Sequence, residues 1–536
     1  MKSKFLPIFS LILLITSSSI GSVSGVTAQL DSRDEEPYEV VFSIPVTEND
    51  VFYEGVGIPE MLAWGPAALT VAQDGSFWIA DTAGSRLLRY NSLGESLSTL
   101  DLEGMVVGVT DVAVPDRSIF ILDGAALPAK VLQFDKEGTL VQKHDLPDGL
   151  RLENGLTGIS LGDSGEVLVE REGGAYVTQF LDAHGESIEL ITTNGYLHHG
   201  NLFKTQISGL TSDSSNSGTI FAGSNQIEIE TENNLGGIRF LGFGLKDDFF
   251  VILEELMMDP ASGLQVDQTI RHYNASGELL GLARAPIADQ YTYVEQGLAV
   301  GQDGSVYFLA TRSDRIEVLK LHFTSKLDSI LTKSRPTFDQ SERSSTDSEI
   351  NCSIYRNTII SNANAYLNNY KYLSSINIDQ DKIYCSNREK PSYLGGADYY
   401  SSVPYDWGGD DTVSTFNSKM SSGKQAGNTD TTVKLSCSFG VDCAGFVFRT
   451  WGLSNHGTCG FFDEELTEGI TQDQLKKGDV VVKCNSHAVL YISTGSAGIN
   501  NVESTQLNNY DRVLYRYSFW SRFSGYSFRS YRELCD

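Results

Sequence analysis

Short apolar stretches alternate with turn-forming residues through the first 325 residues of the chain. Four of the turns place Gly three residues after an Asn or Asp, which is the chemistry of a tight hairpin turn with Gly at positive φ. These four are Tyr90–Glu95, Phe134–Thr139, Leu181–Glu186 and Tyr273–Glu278. An Asp-containing turn precedes each of them and leads into an apolar stretch, as in Asp74–Trp78. The pattern predicts a long series of short antiparallel strands.

The Asp-containing turns recur at a regular spacing. Their first residues are Asp74, Asp116, Asp163, Asp247 and Asp303. The gaps between them are 42, 47, 84 and 56 residues, and because 84 is twice 42 we expect a degenerate copy near Ser217–Phe221. A period of about 40–50 residues with several short strands per repeat is typical of a β-propeller. The spacing therefore predicts an all-β propeller with six blades over residues 38–325.

One repeat resembles a known type of blade. Gly65–Gly75 runs into an Asp-Gly turn, and the next strand ends in Ile79-Ala80-Asp81. This arrangement resembles the NHL-type propeller blade. The repeated Asp residues admit a second interpretation as calcium ligands, although Asp-Gly pairs are ordinarily turn formers. No paired catalytic set recurs in the repeats, so we interpret the propeller as a binding platform.

The chain changes character after residue 325. Residues 326–350 are rich in Ser, Thr, Asp, Glu and Gln and predict an exposed, mobile linker. Residues 351–536 predict a second domain that contains helices and strands. Ile359–Leu367 has helical spacing, and Val441–Leu453 has the pattern of an amphipathic helix that ends near Gly452.

Cys443 is the candidate nucleophile of this second domain. Asp442 is a good N-cap, which puts Cys443 at the N-terminus of the predicted helix. The partial positive charge at a helix N-terminus stabilises a thiolate, so we expect the pKa of this thiol to be lowered.

Two histidines in residues 351–536 are candidates for the base. His487 begins the apolar run His487–Ile492, which follows a second strand-like stretch, Lys477–Val482. A His held on a sheet opposite a Cys at a helix end is a common arrangement for a Cys–His pair. His456 lies in a Ser-Asn-His-Gly stretch that predicts a surface loop. We therefore favour His487.

Three motifs in order give the second domain a family resemblance. They are Tyr405-Asp406-Trp407-Gly408-Gly409, then Asp442–Val447, then Gly478–Val481 followed by His487–Ile492. The segment of about residues 355–520 resembles the NlpC-type family of papain-like cell-wall cysteine peptidases. The resemblance implies an α+β papain-like fold in which Cys443 is the nucleophile and His487 its base.

The same resemblance implies two further site residues. It puts Tyr405 beside the thiol and a polar residue on the strand after His487, where it orients the imidazole. By register this residue is Glu503, with Asn501 and Gln506 as rivals. We expect its carboxylate to hold the Nδ1–H of His487. The family usually has Ser after the nucleophile, whereas this chain has Ala444.

The cysteines permit two other interpretations of the second domain. All seven cysteines lie between Cys352 and Cys535, so in an exported chain six can form three disulfides and one is left over. Cys437, Cys443, His456, Cys459, Cys484 and His487 include spacings that are also found in zinc sites. Alternatively, Cys443 is half of a disulfide and the domain is inactive. A free Cys443 fits the odd count.

The N-terminus and the charge indicate where the protein works. Residues 1–28 have a basic start, a short apolar run and a small-residue end, which predict a cleaved secretory signal and a soluble, extracytoplasmic protein with no later membrane span. Residues 351–536 hold 17 Lys+Arg and 19 Asp+Glu, so the rest of the chain holds 23 and 50, a net charge of −27. Such an acidic part repels nucleic acids and anionic membrane surfaces.

These observations predict an exported cysteine hydrolase. The resemblance implies cleavage of the D-isoglutamyl–diamino acid bond of peptidoglycan stem peptides, with no cofactor and no metal. The propeller is expected to bind a protein or a glycan. Two alternatives remain: a non-catalytic adhesion or scaffold protein that works through the propeller, and an amidase with a substrate other than peptidoglycan.

Overall fold

The repeats of the first part form six four-stranded antiparallel sheets, an arrangement consistent with a β-propeller. The computed structural model describes residues 36–47, 49–208, 215–331, 352–379, 385 and 387–536. The predicted signal segment 1–28 and residues 332–350 of the predicted linker lie outside the described residues. The number of sheets within the described part equals the predicted number of blades.

The sheets follow one another along the chain. In chain order they contain β2–β5 (Ala68–Val71, Phe77–Asp81, Arg86–Tyr90, Ser96–Asp101), β6–β9 (Val109–Ala113, Ser118–Asp123, Lys130–Asp135, Leu140–Asp145), β10–β13 (Leu156–Leu161, Val167–Arg171, Tyr176–Leu181, Ser187–Thr193), β14–β17 (Tyr196–His198, Asn201–Ile207, Ser217–Ala222, Asn225–Glu230), β18–β21 (Asn234–Phe243, Phe249–Asp259, Gly263–Tyr273, Leu279–Arg284), and β22–β24 (Leu298–Val300, Val306–Thr311, Arg315–Leu321) together with β1 (Tyr38–Pro45). The expected degenerate copy is real, because Ser217–Ala222 is the third strand of its sheet.

The predicted turn chemistry explains the hairpins. Gly94 has φ 76° and Gly185 has φ 84°. These positive φ values are unfavourable for residues with a Cβ atom and readily adopted by Gly. The Asn91 side-chain oxygen accepts hydrogen bonds from the backbone N–H groups of Leu93 and Glu95 at 2.9 and 3.0 Å. Asp182 makes the same two bonds in its own turn. These Asn and Asp side chains therefore serve as turn formers.

The first strand closes the series of sheets. β1 pairs antiparallel with β24, so the last sheet takes one strand from the N-terminal end of the described chain. Ala68 of β2 also forms a bridge with Gln296, just before β22. The first and last sheets are thereby joined by backbone hydrogen bonds.

The last 185 or so residues combine helices with one larger sheet. The α-helices are α1 (Arg356–Leu367), α2 (Ser375–Ile378), α3 (Val413–Ser421) and α4 (Cys443–Thr450). A six-stranded antiparallel sheet has the order β30 (Thr467–Ile470), β35 (Ser527–Tyr531), β31 (Val480–Lys483), β32 (His487–Thr494), β33 (Gly498–Thr505) and β34 (Arg512–Phe519). Two-stranded pairs join β25 (Ile354–Tyr355) with β36 (Leu534–Cys535), β26 (Lys371–Leu373) with β27 (Asp398–Tyr400), and β28 (Gln425–Ala426) with β29 (Ser438–Phe439).

Helix α4 packs against this sheet through a continuous apolar core. Its buried residues Phe446 and Val447 lie in one cluster with Ala488 and Leu490 of β32 and Val502 of β33. Burying side chains of this size contributes about 1.5–3 kcal/mol each. The core holds the N-terminus of α4 against the strand that begins at His487.

The propeller sheets and the C-terminal part share buried contacts. Residues 37–536 form a single compact unit. Arg516 of β34 is buried and its guanidinium lies 2.6 Å from a carboxylate oxygen of Glu295. A Cβ at Gly108 would overlap the backbone carbonyl of Asn508, so only Gly permits this close approach. The predicted domain boundaries themselves stay predictions.

The cysteines pair as the odd count suggested. Cys352 is bonded to Cys535, Cys385 to Cys437 and Cys459 to Cys484, and Cys443 is free. The zinc interpretation is wrong because Cys437, Cys459 and Cys484 are all in disulfides. Three disulfides are consistent with an oxidising, extracellular environment. Among the described residues, no helix is long and apolar enough to cross a membrane.

Candidate active site

Cys443 is the first residue of α4, as the sequence predicted. The Asp442 side chain caps the helix by accepting a hydrogen bond from the Gly445 N–H at 2.6 Å. The Asn455 amide also donates to Asp442 at 3.1 Å. An acidic N-cap held from two sides fixes the first turn, and with it the position of the thiol.

The thiol is buried and its pKa moves opposite to the expected direction. Cys443 is 2% exposed. Burial raises the pKa of Cys443 well above its ordinary value, and the neighbouring Asp442 carboxyl adds to this shift. The backbone N–H groups of Ala488 and Ala444 act on the sulfur in the opposite sense but do not prevail. The expectation of a lowered pKa was wrong, because desolvation of the thiolate outweighs the helix N-terminus.

His487 contacts Glu503 across two neighbouring strands. Leu490 of β32 pairs with Val502 of β33, a register that puts His487 and Glu503 on one face of the sheet. The Nε2 atom of His487 lies 2.5 Å from a carboxylate oxygen of Glu503. The expected contact at Nδ1 was therefore wrong, and Nδ1 is the nitrogen that does not face the carboxylate.

Asn501 and Gln506, the other candidates for this position, make different hydrogen bonds. The Asn501 amide is 3.4 Å from the second oxygen of Glu503, and the Gln506 amide donates to the Thr429 carbonyl at 2.9 Å. His456 is exposed and lies against the Phe448 ring, in keeping with the predicted surface loop.

Two arginines that no sequence motif indicated surround Glu503. The guanidinium of Arg522 binds both carboxylate oxygens, each at 2.7 Å, and Nε of Arg516 lies 3.7 Å away. Although burial opposes it, the Arg522 charge holds the pKa of Glu503 well below its ordinary value. Burial lowers the pKa of His487, against the effect of Glu503. At neutral pH the site therefore holds a neutral imidazole beside an ionised carboxylate.

Tyr405 lies in the same small cavity as His487. Both residues line it together with Glu60, Met61 and Leu62. Burial raises the pKa of Tyr405 well above its ordinary value, and the thiol of Cys443 contributes to this shift. The phenol therefore stays protonated and able to donate a hydrogen bond near the sulfur. The structure thus brings all four predicted residues, Cys443, His487, Glu503 and Tyr405, into one neighbourhood.

Glu60, Met61 and Leu62 belong to the segment Gly55–Ala63, here called the strap, which lines the small cavity from the propeller side. A Glu60 carboxylate oxygen accepts a hydrogen bond from the Thr458 N–H at 2.7 Å, close to the α4 cap. The Glu60 charge also contributes to raising the pKa of Cys443. No local pattern in the sequence could have indicated this contact, because the partners are 398 positions apart.

Asp406, next to Tyr405, makes stability depend on pH. Burial raises its pKa from 3.8 to about 7. The folded chain therefore keeps a proton that the unfolded chain releases, so stability falls as pH rises from about 4 to 7. We expect the free energy of unfolding of Asp406→Asn, measured relative to wild type, to increase by about 2–4 kcal/mol between pH 4 and pH 7. Urea unfolding at both pH values measures this, and equal differences would show that folding does not raise the pKa of Asp406.

The comparisons with known proteins do not identify the candidate site. No protein family matches the sequence, and no curated protein matches it. A streptogramin B lyase structure is 13% identical over 53% of this chain and all of its own, with a TM-score of 0.27. A catalytically inactive virginiamycin B lyase from Staphylococcus aureus with quinupristin is 14% identical over 53% of this chain and all of its own, with a TM-score of 0.30.

A third solved structure, the WD40 repeats of RRP9, is 9% identical over 53% of this chain and all of its own, with a TM-score of 0.32. Likenesses of this size carry no argument about activity. The class of the protein accordingly rests on its own features: six four-stranded antiparallel sheets, consistent with a propeller, joined to a disulfide-linked part of helices and a six-stranded sheet. That second part contains a free, buried thiol.

Proposed function

We propose that this chain is an exported cysteine hydrolase that cleaves amide bonds in peptides, with peptidoglycan stem peptides as the substrate class. One observation carries the proposal. A free thiol at the N-terminus of α4 lies against the backbone N–H of Ala488, the residue after His487, and His487 is held by Glu503 at 2.5 Å. The NlpC-type resemblance of the three motifs supplies the substrate class and the papain-like interpretation of this part.

In this proposal the resting site is a neutral pair. The raised pKa of Cys443 and the lowered pKa of His487 both favour thiol and imidazole over thiolate and imidazolium. The proton therefore moves from sulfur to Nδ1 of His487 as the sulfur attacks the amide carbonyl. Glu503, bound at Nε2, stabilises the imidazolium that forms.

The rest of the cycle follows from these roles. The tetrahedral adduct collapses with cleavage of the C–N bond, and the imidazolium of His487 gives its proton to the leaving amine. The product is a thioester on Cys443. Water then attacks the thioester while His487 removes its proton, and the released sulfur takes the proton back. In this proposal the Tyr405 hydroxyl, which burial keeps protonated, donates to the developing oxyanion.

The test is digestion of peptidoglycan muropeptides by the purified mature protein, followed by mass spectrometry. We expect fragments cut at the isoglutamyl–diamino acid bond with wild type and none with Cys443→Ala. His456→Ala, which changes an exposed His outside the site, is the matched control and is expected to cut like wild type. If the wild-type protein cleaved neither muropeptides nor other amide substrates, the proposal would be overturned.

A second candidate function is favoured by the enclosure of the thiol. Cys443 is 2% exposed, its pKa is raised, and the strap lies over the site. These features suit a non-catalytic scaffold in which the propeller binds a partner. A Cys443 that resists iodoacetamide, together with no hydrolysis of any amide, would favour the scaffold.

A further inference from the structure

A large cavity lies between the propeller sheets and the C-terminal part. Its volume is about 590 Å³, in the range of small-molecule and peptide sites. The propeller contributes the strap and the stretch 287–298 to its lining, and the C-terminal part contributes 483–486 and 521–526. Ser486 lines the cavity and immediately precedes His487. The cavity therefore ends one residue from the candidate base.

The strap lines both this cavity and the small cavity next to Tyr405 and His487. Met61 and Leu62 line both cavities. The small cavity also contains Tyr405 and His487. The two cavities therefore have the flexible side chains of Met61 and Leu62 in common.

The charged lining of the large cavity favours an anion. Three cationic side chains line it, those of Arg239, Lys483 and Arg522, and its single acidic residue is Glu295. Glu295 is neutralised by Arg516 at 2.6 Å, outside the lining. Arg522 is bound to Glu503, and neither Arg239 nor Lys483 has a carboxylate at ion-pair distance among the described residues. Glu254 and Glu170 are close enough to interact with the Arg239 charge, but burial raises the pKa of both carboxyls.

The two arginines of the lining are only partly accessible. Arg522 is 4% exposed, and its Nε atom has no hydrogen-bond partner within the described part of the chain. The Nε of Arg239 is likewise buried without a partner, while its guanidinium stacks over Phe519 at 4.1 Å. Because these two Nε atoms have almost no accessible surface, contact with a ligand falls to the other guanidinium nitrogens of Arg239 and to Lys483.

We propose that this cavity binds a carboxylate of an anionic peptide substrate, with Arg239 and Lys483 as its cationic partners. The propeller is then part of the substrate site of the hydrolase and supplies charge selectivity beside the scissile amide. This inference rests on the proposed function and extends it by naming the substrate feature that the propeller recognises. Arg239 is half-buried in the cavity wall, whereas Lys483 is exposed.

The test measures binding separately from turnover. The full mature chain carrying Cys443→Ala is titrated calorimetrically with L-Ala-γ-D-Glu-meso-diaminopimelate and with the same tripeptide whose carboxylates are converted to carboxamides. We expect at least about tenfold weaker binding of the carboxamide form, because a charged hydrogen bond contributes about 1.5–3 kcal/mol. Lys483→Gln should weaken binding of the acidic tripeptide about fivefold and leave the carboxamide form unchanged.

Two further variants complete the comparison. Arg239→Gln should weaken binding of the acidic tripeptide about 30-fold, with circular dichroism as the check on folding. Lys371→Gln, which alters an exposed lysine on β26, is the matched control and should bind like the parent. Equal affinity for the two tripeptides, no binding of either, or an unchanged affinity in Lys483→Gln would overturn the inference.

Hydrolysis by the chain with Cys443 intact distinguishes the two proposals. Cleavage with the same KM for both tripeptides would support the proposed hydrolysis and contradict carboxylate binding in the cavity. Charge-selective binding without cleavage would leave the cavity as a carboxylate site and reject the hydrolase. A raised KM at unchanged kcat in Lys483→Gln is the result expected if both proposals hold.

Discussion

Replacing Glu503 with Gln is expected to lower the free energy of unfolding by about 3–5 kcal/mol, because it leaves a buried charge without its partner. Arg522 is 4% exposed and binds both oxygens of Glu503 at 2.7 Å. Arg516, 1% exposed, also faces this carboxylate at 3.7 Å. Without the negative charge of Glu503, the two buried guanidinium groups would have only one carboxylate partner, Glu295, which binds Arg516.

Urea unfolding, followed by tryptophan fluorescence, measures the effect. The matched control is Glu468→Gln, which removes an exposed carboxylate that lies 3.6 Å from the exposed Arg532, and it should change stability by less than about 1 kcal/mol. Adding Arg522→Met to Glu503→Gln should restore part of the loss, since the unpaired charge is then gone. A Glu503→Gln protein as stable as wild type would show that the carboxylate is not needed to hold these arginines.

Replacing Val56–Leu62 of the strap with a Gly/Ser segment of equal length is expected to speed alkylation of Cys443 by about a hundredfold at pH 7. Iodoacetamide reacts with the thiolate, and burial together with the Glu60 charge raises the pKa of this thiol. Each unit by which that pKa falls gives about ten times more thiolate. None of residues 56–62 is fully buried, so the replacement removes little of the core.

Mass spectrometry of the alkylated protein over time gives the rate, and the urea-unfolded chain sets the upper limit. Glu60→Gln keeps the strap and removes only its charge, so a smaller increase is expected from it. The replacement Val141→Gly, at an exposed position on β9 away from the site, should leave the rate unchanged. An unchanged rate in the strap variant would show that the C-terminal part alone occludes the thiol.

Local rules were sufficient to predict the sheets and the helix that carries the thiol. The turns at Asn91 and Asp182 are formed within five residues, so the sequence alone contains their cause. The same holds for the Asp442 cap, whose partner is Gly445. Strand register also selected Glu503 correctly as the residue that faces His487, because side chains on a strand alternate with a period of two.

Features made by residues far apart in the chain were not predictable. The direction of the Cys443 pKa depends on burial and on Glu60, and neither is visible around residue 443. Arg522 reaches Glu503 from the segment after β34, 19 positions further along the chain, and nothing in the sequence around Ser521 distinguishes it from an exposed arginine. The ring nitrogen that faces Glu503 follows from the side-chain torsions of His487, which no pattern encodes. The large cavity, too, exists only because two distant parts of the chain pack together.

The pairing of β1 with β24 has a kinetic consequence. Tyr38 is the partner of Leu321, so the last sheet cannot be completed until almost the whole propeller has been made. Contacts between such distant positions form slowly, because the chain loses the entropy of closing a long loop before the contact stabilises it. The strap begins ten residues after the end of β1, so its placement is tied to the docking of that strand. In a complete chain that refolds from the unfolded state, Cys443 stays uncovered until then, and its thiol can exchange with the six cysteines that form the native disulfides.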